Sequence, residues 1–170
     1  MYKGEQVNKL YIEQVSKNAL VPTKGSTHAA CYDLYSDLAG RAVKIRDALN
    51  DEYTAHCQET LTLGPLDRAL IPTGWKMQCP EGISIDFLPR SGTAWKVGLT
   101  VVNTPGVIDH DYQNECFVAV INHSGENINI NHGDRIAQMR LVPVLDTELV
   151  EAELPEVNSN RTGGFGSSGK

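Results

Sequence analysis

Turn-forming residues recur along most of this chain and leave only short segments between them. Glycine stands within two residues of a proline, serine or aspartate at 64–65, 72–74, 80–82, 104–106, 123–125 and 132–134. Such combinations favour tight turns, and the segments between them are rich in β-branched residues. Many short strands at this spacing predict a β-sandwich or a β-barrel.

The clearest strand pattern is strict alternation. In ISIDFLP, Ile83, Ile85 and Phe87 alternate with Ser84 and Asp86, and ENININ alternates isoleucine with asparagine. CFVAVIN (116–122) and IAQMRLVPV (136–144) are further strand candidates. Because a period of two is the pattern of a strand with one buried face, we expect an all-β domain over residues 1–155. The polar residues 156–170 are expected to form a flexible C-terminal arm that carries a glycine-rich motif.

One segment, residues 37–59, has a different period. Its apolar residues lie three or four positions apart, at Leu38, Ala42, Ile45, Leu49, Tyr53 and Cys57. This is the stripe of an amphipathic helix, and Asp37 is placed to cap its start. The pattern therefore predicts one inserted helix, which covers a sheet edge or faces a neighbouring subunit or a partner protein.

Charge and composition argue against several classes of protein. The formal net charge of −6 does not favour direct nucleic-acid binding, which usually needs a basic face. No apolar run approaches the ~20 residues of a membrane helix, and the first residues lack the apolar core of a signal peptide. We therefore expect a cytoplasmic protein, or a nuclear or host-cytoplasmic one, with no membrane partner. The four cysteines form no CxxC pair, so we expect plain thiols rather than a zinc site.

Two turns carry candidate chemistry. In DFLPRSGTAWKVGL (86–99), the guanidinium of Arg90 and the hydroxyl of Ser91, next to Gly92, suit an anionic oxygen ligand. The alternative is a surface turn with an exposed arginine. In VVNTPGVIDHDYQNEC (101–116), Asn103 precedes a turn that can close a hairpin, and Asp109 follows an apolar strand. Asp109 is therefore a candidate general base, the alternative being a polar loop of solvated acids.

Three further segments are ambiguous when they are read alone. Asp33 lies among small and apolar residues, so it needs either an arginine partner or metal-bound water to orient. Asp134, Arg135 and Gln138 can form a turn ion pair with an exposed amide. The tail RTGGFGSSGK is either a frayed end or a clamp, in which glycines approach a phosphate and Phe165 stacks on a flat ring.

Taken together and in order, these segments resemble the trimeric dUTPases (deoxyuridine triphosphate nucleotidohydrolases). The matching motifs are ACYDLYS, PRSGTAW, NTPGVIDHDYQNE, GDRIAQMRLVPV and RTGGFGSSG. The resemblance covers residues 7–170 apart from the insert at 37–59. It implies a jelly-roll-like β-clip subunit, a homotrimer with shared active sites, and hydrolysis of dUTP to dUMP and pyrophosphate. That reaction keeps uracil out of DNA and supplies dUMP for dTMP synthesis.

The resemblance also implies a role for each matching residue. Asp109 would activate the water that attacks the α-phosphorus, Tyr112 would lie under the deoxyribose, and the uracil would be read by Asn103 and the hairpin at Val107 and Ile108. Mg²⁺ would be held by the triphosphate and water, with Asp33 acting only through water. The phosphate and arm contacts would come from Arg90, Ser91, Gly92, Gln138, Arg161, Phe165, Gly166, Ser167 and Ser168.

The sequence departs from the family pattern at four places. Cys31 and Asn114 replace usual glycines, the three residues between Arg161 and Phe165 make that spacing short, and the insert 37–59 lengthens the link between the first two motifs. Arg161's contact with the γ-phosphate is the role that the short spacing affects.

Three other functions remain to be weighed against a dUTPase. A dCTP deaminase shares this fold, but Trp95 stands where that family has an arginine. A regulatory binding module would be expected to lack Asp109 or Phe165, and a purely structural jelly roll would have no reason to keep five motifs in order.

Overall fold

The computed structural model describes residues 9–157, in which thirteen strands and one short helix follow one another. In chain order they are β1 Tyr11–Gln14, β2 Thr23–Lys24, β3 Tyr32–Tyr35, β4 Ala42–Arg46, β5 Glu52–His56, β6 Thr60–Leu63, β7 Arg68–Gln78, β8 Ile83–Leu88, α1 Ser91–Lys96, β9 Leu99–Val101, β10 Gly106–Ile108, β11 Glu115–Asn122, β12 Ile128–Asn131 and β13 Arg135–Pro143. The predicted all-β fold is confirmed. Within residues 9–157, no helix is long and apolar enough to cross a membrane.

The strands form two large sheets and a two-stranded ribbon. The first sheet has the order β5-β4-β7-β11-β9, with β1 also paired to β7, and the second has the order β10-β8-β13-β3-β2. The ribbon pairs β12 with β6. Every pairing in both sheets is antiparallel, so each sheet can bury one face and leave the other free for a site.

The longest strand, β7, ties the first sheet together. Along one side it pairs with β11, where Leu70 lies opposite Ala119. Along the other side β4 covers its beginning and β1 covers its end, with Lys44 opposite Leu70 and Ile12 opposite Met77. Nearly all of β7's backbone polar groups therefore find partners within one chain.

The core lies between the sheets and follows the alternation seen in the sequence. Ile85 and Phe87 of β8 pack against the inward residues of β11 and β13, among them Val118 and Met139. Asp86 is also buried, and its carboxylate accepts a hydrogen bond of 3.2 Å from Arg140 Nη2 on the neighbouring strand. The second face of β8 is thus polar but buried at Asp86. Because a buried carboxylate needs a cationic partner, Arg140 stabilises it.

The predicted helix over 37–59 is wrong, because this segment forms a β-hairpin of β4 and β5. The side chains of Val43 and Ile45 point into the core, whereas Leu49, a member of the predicted helical stripe, is 83% exposed. Burial alternates with a period of two along β4, whereas β5 is a mostly exposed edge strand. The three-to-four spacing of the apolar residues is therefore a coincidence of two short strands joined by a turn.

Turn chemistry at residues 47–51 stops a helix from passing through this segment. The Asp47 side chain accepts hydrogen bonds of 2.9 Å from the backbone N–H groups of Leu49 and Asp51, and Asn50 has a φ of 74°. An aspartate that bonds backbone groups ahead of it and an asparagine in the left-handed region are both features of tight turns. β4 then pairs with the start of β7, so the backbone groups of both strands find hydrogen-bond partners.

Substitutions in this hairpin distinguish the strand assignment from the helical one. We expect Ile45→Ala to lower the free energy of unfolding by about 2–5 kcal/mol, because it leaves a cavity in the core. Leu49→Ala at the exposed turn should change it by less than about 0.5 kcal/mol. Chemical denaturation at matched protein concentration measures both, and equally large losses would instead support a helix that buries both side chains.

Candidate active site

A cavity of about 470 Å³ opens between β3, β13 and the start of α1. Its wall brings together five residues that the sequence analysis singled out: Asp33, Arg90, Ser91, Gly92 and Gln138. Arg135 and Cys31 line the same cavity. The motifs that contribute to it are far apart in sequence, and antiparallel pairing of β3 with β13 and of β13 with β8 makes them neighbours.

Asp33 is the electrostatic centre of this wall. It is 9% exposed, and its two carboxylate oxygens accept hydrogen bonds from two different arginines. Arg90 Nε lies 2.8 Å from Oδ1, and Arg135 Nη1 lies 3.3 Å from Oδ2. The sequence left an arginine or metal-bound water open as the partner of Asp33. The structure shows two arginines in contact with it.

The remaining contacts fix the loop that precedes α1. Arg90 Nη1 donates to the Thr93 hydroxyl at 3.3 Å, and Gln138 Nε2 donates to the carbonyl of Pro89 at 2.9 Å. Ser91 and Gly92 are exposed at the cavity edge. The sequence indicated only a turn here, whereas the chain continues into the short helix α1.

Two guanidinium groups against one carboxylate leave this wall with a net positive charge. Arginine presents several N–H donors in a fixed plane, which suits the oxygens of a phosphate group. The cavity can therefore hold a polyanionic ligand even though the whole chain is acidic.

A second group of predicted residues lies on the turn after β9, on β10 and on the loop after it. β9 pairs with β11 and β10 pairs with β8, so the turn joins the two sheets and does not close a hairpin between β9 and β10. Asn103 is exposed in the turn, and Val107 and Ile108 lie on β10 at the edge of the second sheet. Asp109 is exposed directly after β10. Its backbone carbonyl accepts from the N–H of Tyr112 at 3.2 Å, so the acid and the aromatic ring share one tight turn.

The loop that carries Asp109 is held by two contacts that the sequence analysis missed. His110 Nδ1 lies 2.6 Å from the carbonyl of Cys79, which ties the loop to the end of β7. The Tyr112 hydroxyl donates to the carbonyl of Glu115 at 3.0 Å. Both partners are backbone atoms, so no residue pattern in the sequence indicates these contacts.

Within one chain the two groups are separate. β8 lies between β10 and β13, with Ile108 opposite Ile85 and Gln138 opposite Leu88. Strands about 4.8 Å apart with a rise of about 3.3 Å per residue put Ile108 roughly 15 Å from Gln138. A small ligand held at Arg90 and Gln138 therefore lies far from Asp109 of the same chain.

Five predicted residues, Arg161, Phe165, Gly166, Ser167 and Ser168, lie outside the described residues.

The fold and the site define the class as an all-β protein whose cavity is lined by two arginines. A sequence model of the dUTPase family matches residues 53–169. The deoxyuridine 5'-triphosphate nucleotidohydrolase of a Hydrogenobaculum species is 36% identical over 161 residues, which cover 95% of this chain and 98% of that protein. The same enzyme of Nautilia profundicola is 37% identical over 162 residues, which cover 95% and 99%.

Solved structures show the same relationship. A mutant dUTPase of Staphylococcus bacteriophage 80alpha with dUpNHpp superposes with a TM-score of 0.75 at 26% identity, covering 95% of this chain and 99% of that one. The chain belongs to the dUTPase family.

The four cysteines differ in their surroundings. Burial raises the pKa of the Cys57 and Cys79 thiols, and it raises the pKa of the fully buried Cys116 to about 11. Cys31 is half-buried in the wall of the cationic cavity. Because the thiolate is the reactive form and a raised pKa keeps a thiol protonated, the three buried cysteines should react slowly.

We expect iodoacetamide at pH 8 to label Cys31 of the native protein first and Cys116 last. Millimolar inorganic pyrophosphate should slow the labelling of Cys31, because it occupies the same cavity. Peptide mass spectrometry over time measures both effects, with urea-unfolded protein as the control in which all four cysteines react. Labelling of native Cys116 as fast as Cys31 would contradict the burial of Cys116, and labelling of Cys31 that pyrophosphate does not slow would contradict binding in the cavity.

Proposed function

We propose that this protein hydrolyses dUTP at the α-phosphorus to dUMP and pyrophosphate, with Asp109 accepting the proton of the attacking water. The observation that carries the proposal is the cavity in which Asp33 fixes two arginines beside Ser91 and Gln138. Membership of the dUTPase family supports the choice of substrate, as does the relative solved with dUpNHpp.

The cavity acts as the triphosphate site in this proposal. Arg90 and Arg135 are already fixed by Asp33, so little of their side-chain freedom has to be lost when a ligand binds. Positive charge beside the phosphates also stabilises the negative charge that builds up on the departing pyrophosphate. The chain's contribution here is orientation and charge neutralisation, with no covalent intermediate.

The turn after β9, together with β10, acts as the nucleoside site. Asn103 and the backbone around Val107 and Ile108 read the uracil edge, and the tight turn excludes the methyl group of thymine. Tyr112 lies against the deoxyribose and leaves no room for a 2′-hydroxyl. The exposed carboxylate of Asp109, which follows β10 directly, is free to take a proton from water.

The distance between these two sets of residues supports a site shared between chains. A nucleotide whose phosphates lie in the cavity of one subunit meets the Asp109 of a neighbouring subunit. The segment after β13 also supports assembly, because Leu145, Leu149 and Leu154 are between 82% and 98% exposed. Large apolar side chains this exposed indicate a surface that a second copy covers. We therefore propose a homotrimer with three shared sites.

The donor set fits a magnesium ion that enters with the nucleotide. Among residues 9–157, no group of three or more histidine, cysteine, aspartate or glutamate side chains can hold a metal. Both oxygens of Asp33 are engaged by arginines, which supports a role for that residue through water rather than as a direct ligand. When bound, Mg²⁺ neutralises phosphate charge and keeps most of its waters.

The C-terminal arm completes the site in this proposal. Arg161, Ser167 and Ser168 close over the phosphates, Phe165 covers the uracil, and Gly166 lets the backbone come close. A protein that ends at residue 160 should then assemble normally but turn over dUTP far more slowly. Full turnover by that protein would leave the arm without a role in the reaction.

Replacing the proposed base tests the mechanism. We expect Asp109→Asn to lower kcat for dUTP by about a hundredfold or more while dUTP still binds, because the amide cannot accept the proton. Pyrophosphate release from dUTP, dCTP, dTTP and UTP with Mg²⁺ measures both activity and specificity, and wild-type protein should act on dUTP.

Asp111→Asn is the matched control, because Asp111 is an exposed acid two residues away and should leave kcat near the wild-type value. Normal kcat in Asp109→Asn would exclude Asp109 as the base. Release from dCTP but not dUTP would assign the protein another nucleotide substrate.

A further inference from the structure

The insert contributes an arginine to a cluster of charges withdrawn from water. Arg41 Nη2 donates to both carboxylate oxygens of Glu115, at 2.9 and 2.7 Å, and Nη1 contacts Oδ2 of Asp37. Asp37 is 1% exposed, and the side chains of Arg41 and Glu115 are mostly covered. Two carboxylates this close together in the interior depend on the cation between them.

The closed hairpin fixes Arg41 in this position. Its backbone N–H donates to the carbonyl of Leu38 at 3.1 Å, and its carbonyl accepts from the N–H of Cys57 at 2.8 Å. Burial disfavours the charged guanidinium, but the hydrogen bond and charge of Glu115, with those of Asp37, outweigh burial and raise the pKa of Arg41. The arginine therefore stays charged at any working pH.

Glu115 links this cluster to the nucleoside site. Its side chain accepts the backbone N–H of Gly74 at 2.9 Å, which anchors the residue to β7. Its backbone carbonyl accepts the hydroxyl of Tyr112 at 3.0 Å. Burial, and then the charges of Cys116 and Glu115, raise the pKa of Tyr112, so its hydroxyl stays protonated and can donate.

We propose that Arg41 is a positioning residue that fixes the Tyr112 ring through Glu115, and that the insert thereby sets discrimination between deoxyribose and ribose. The inference rests on the proposed function, in which Tyr112 lies against the sugar. Without Arg41, the Glu115 carboxylate is left beside the buried charge of Asp37 and moves towards water. The carbonyl that holds the Tyr112 hydroxyl moves with it, and a loosely held ring no longer excludes a 2′-hydroxyl.

The test compares kcat/KM for dUTP and for UTP in Arg41→Gln. We expect the ratio of the two values to fall by about tenfold or more, since small displacements at a substrate-positioning contact have effects of that size or larger. A loss of folded protein lowers both values equally and leaves their ratio unchanged, so the ratio reports positioning rather than stability. Arg41→Lys keeps one charged contact and should fall between wild type and Arg41→Gln.

Arg46→Gln is the matched control in the same hairpin. It removes an exposed ion pair of 2.6 Å with Glu52, which has no contact with Glu115 or Tyr112, so its ratio should equal that of wild type. If Arg41→Gln does not fold, Glu115→Gln replaces it, because the amide keeps an acceptor for Gly74 while losing the charge pair. The same lowered ratio is expected.

The outcomes distinguish a failure of the role assigned to Arg41 from a failure of the proposed dUTP hydrolysis. An unchanged ratio in folded Arg41→Gln, or in Glu115→Gln, overturns the inference while leaving the proposed function intact. Absence of pyrophosphate release from dUTP by wild-type protein overturns the proposed function itself.

Discussion

The pair of ionic contacts made by Asp33 determines where this protein places two of its arginines. A carboxylate buried on β3 cannot be left without a partner, and it is satisfied by Arg90 beyond the end of β8 and by Arg135 at the start of β13. One side chain thus fixes two guanidinium groups that come from distant parts of the chain. The cavity lies at that meeting point, and the contacts within the chain are sufficient to hold its two arginines in place.

The same sheet that builds the cavity keeps it away from the loop that carries Asp109. β8 separates β10 from β13, so the cavity residues and Asp109 lie at different parts of one chain. Under the proposed function, a neighbouring chain therefore supplies the second half of each site. The exposed leucines after β13 are consistent with such contacts. The insert adds a further constraint, since its arginine reaches the residue that holds Tyr112.

The sequence predicted the fold class and the family, because strands with one buried face alternate visibly and the motifs occur in order, whereas the roles of the site residues stay predictions. It misassigned the insert, because Leu38, Ile45 and Cys57 are buried at helical spacing by coincidence, while the Asp47 turn was overlooked. The contacts of His110 with Cys79 and of Arg41 with Glu115 join residues 31 and 74 positions apart, and no local pattern encodes such pairs. The spatial separation of Asp109 from Gln138 depends on the strand order β10-β8-β13, which no local sequence pattern indicates.

Complementation between inactive variants tests the shared site most directly. Asp109→Asn and Arg90→Gln proteins, each inactive alone, are co-refolded in equal amounts and assayed for pyrophosphate release from dUTP. If each site takes Asp109 from one chain and Arg90 from another, about one quarter of the sites in a random mixture are intact. Mixing Arg90→Gln with Gln138→Ala is the control, since both residues belong to one chain's cavity and no site is restored. Recovery in the first mixture alone is the predicted result, and no recovery in either, despite mixed assemblies, would place the whole site within one chain.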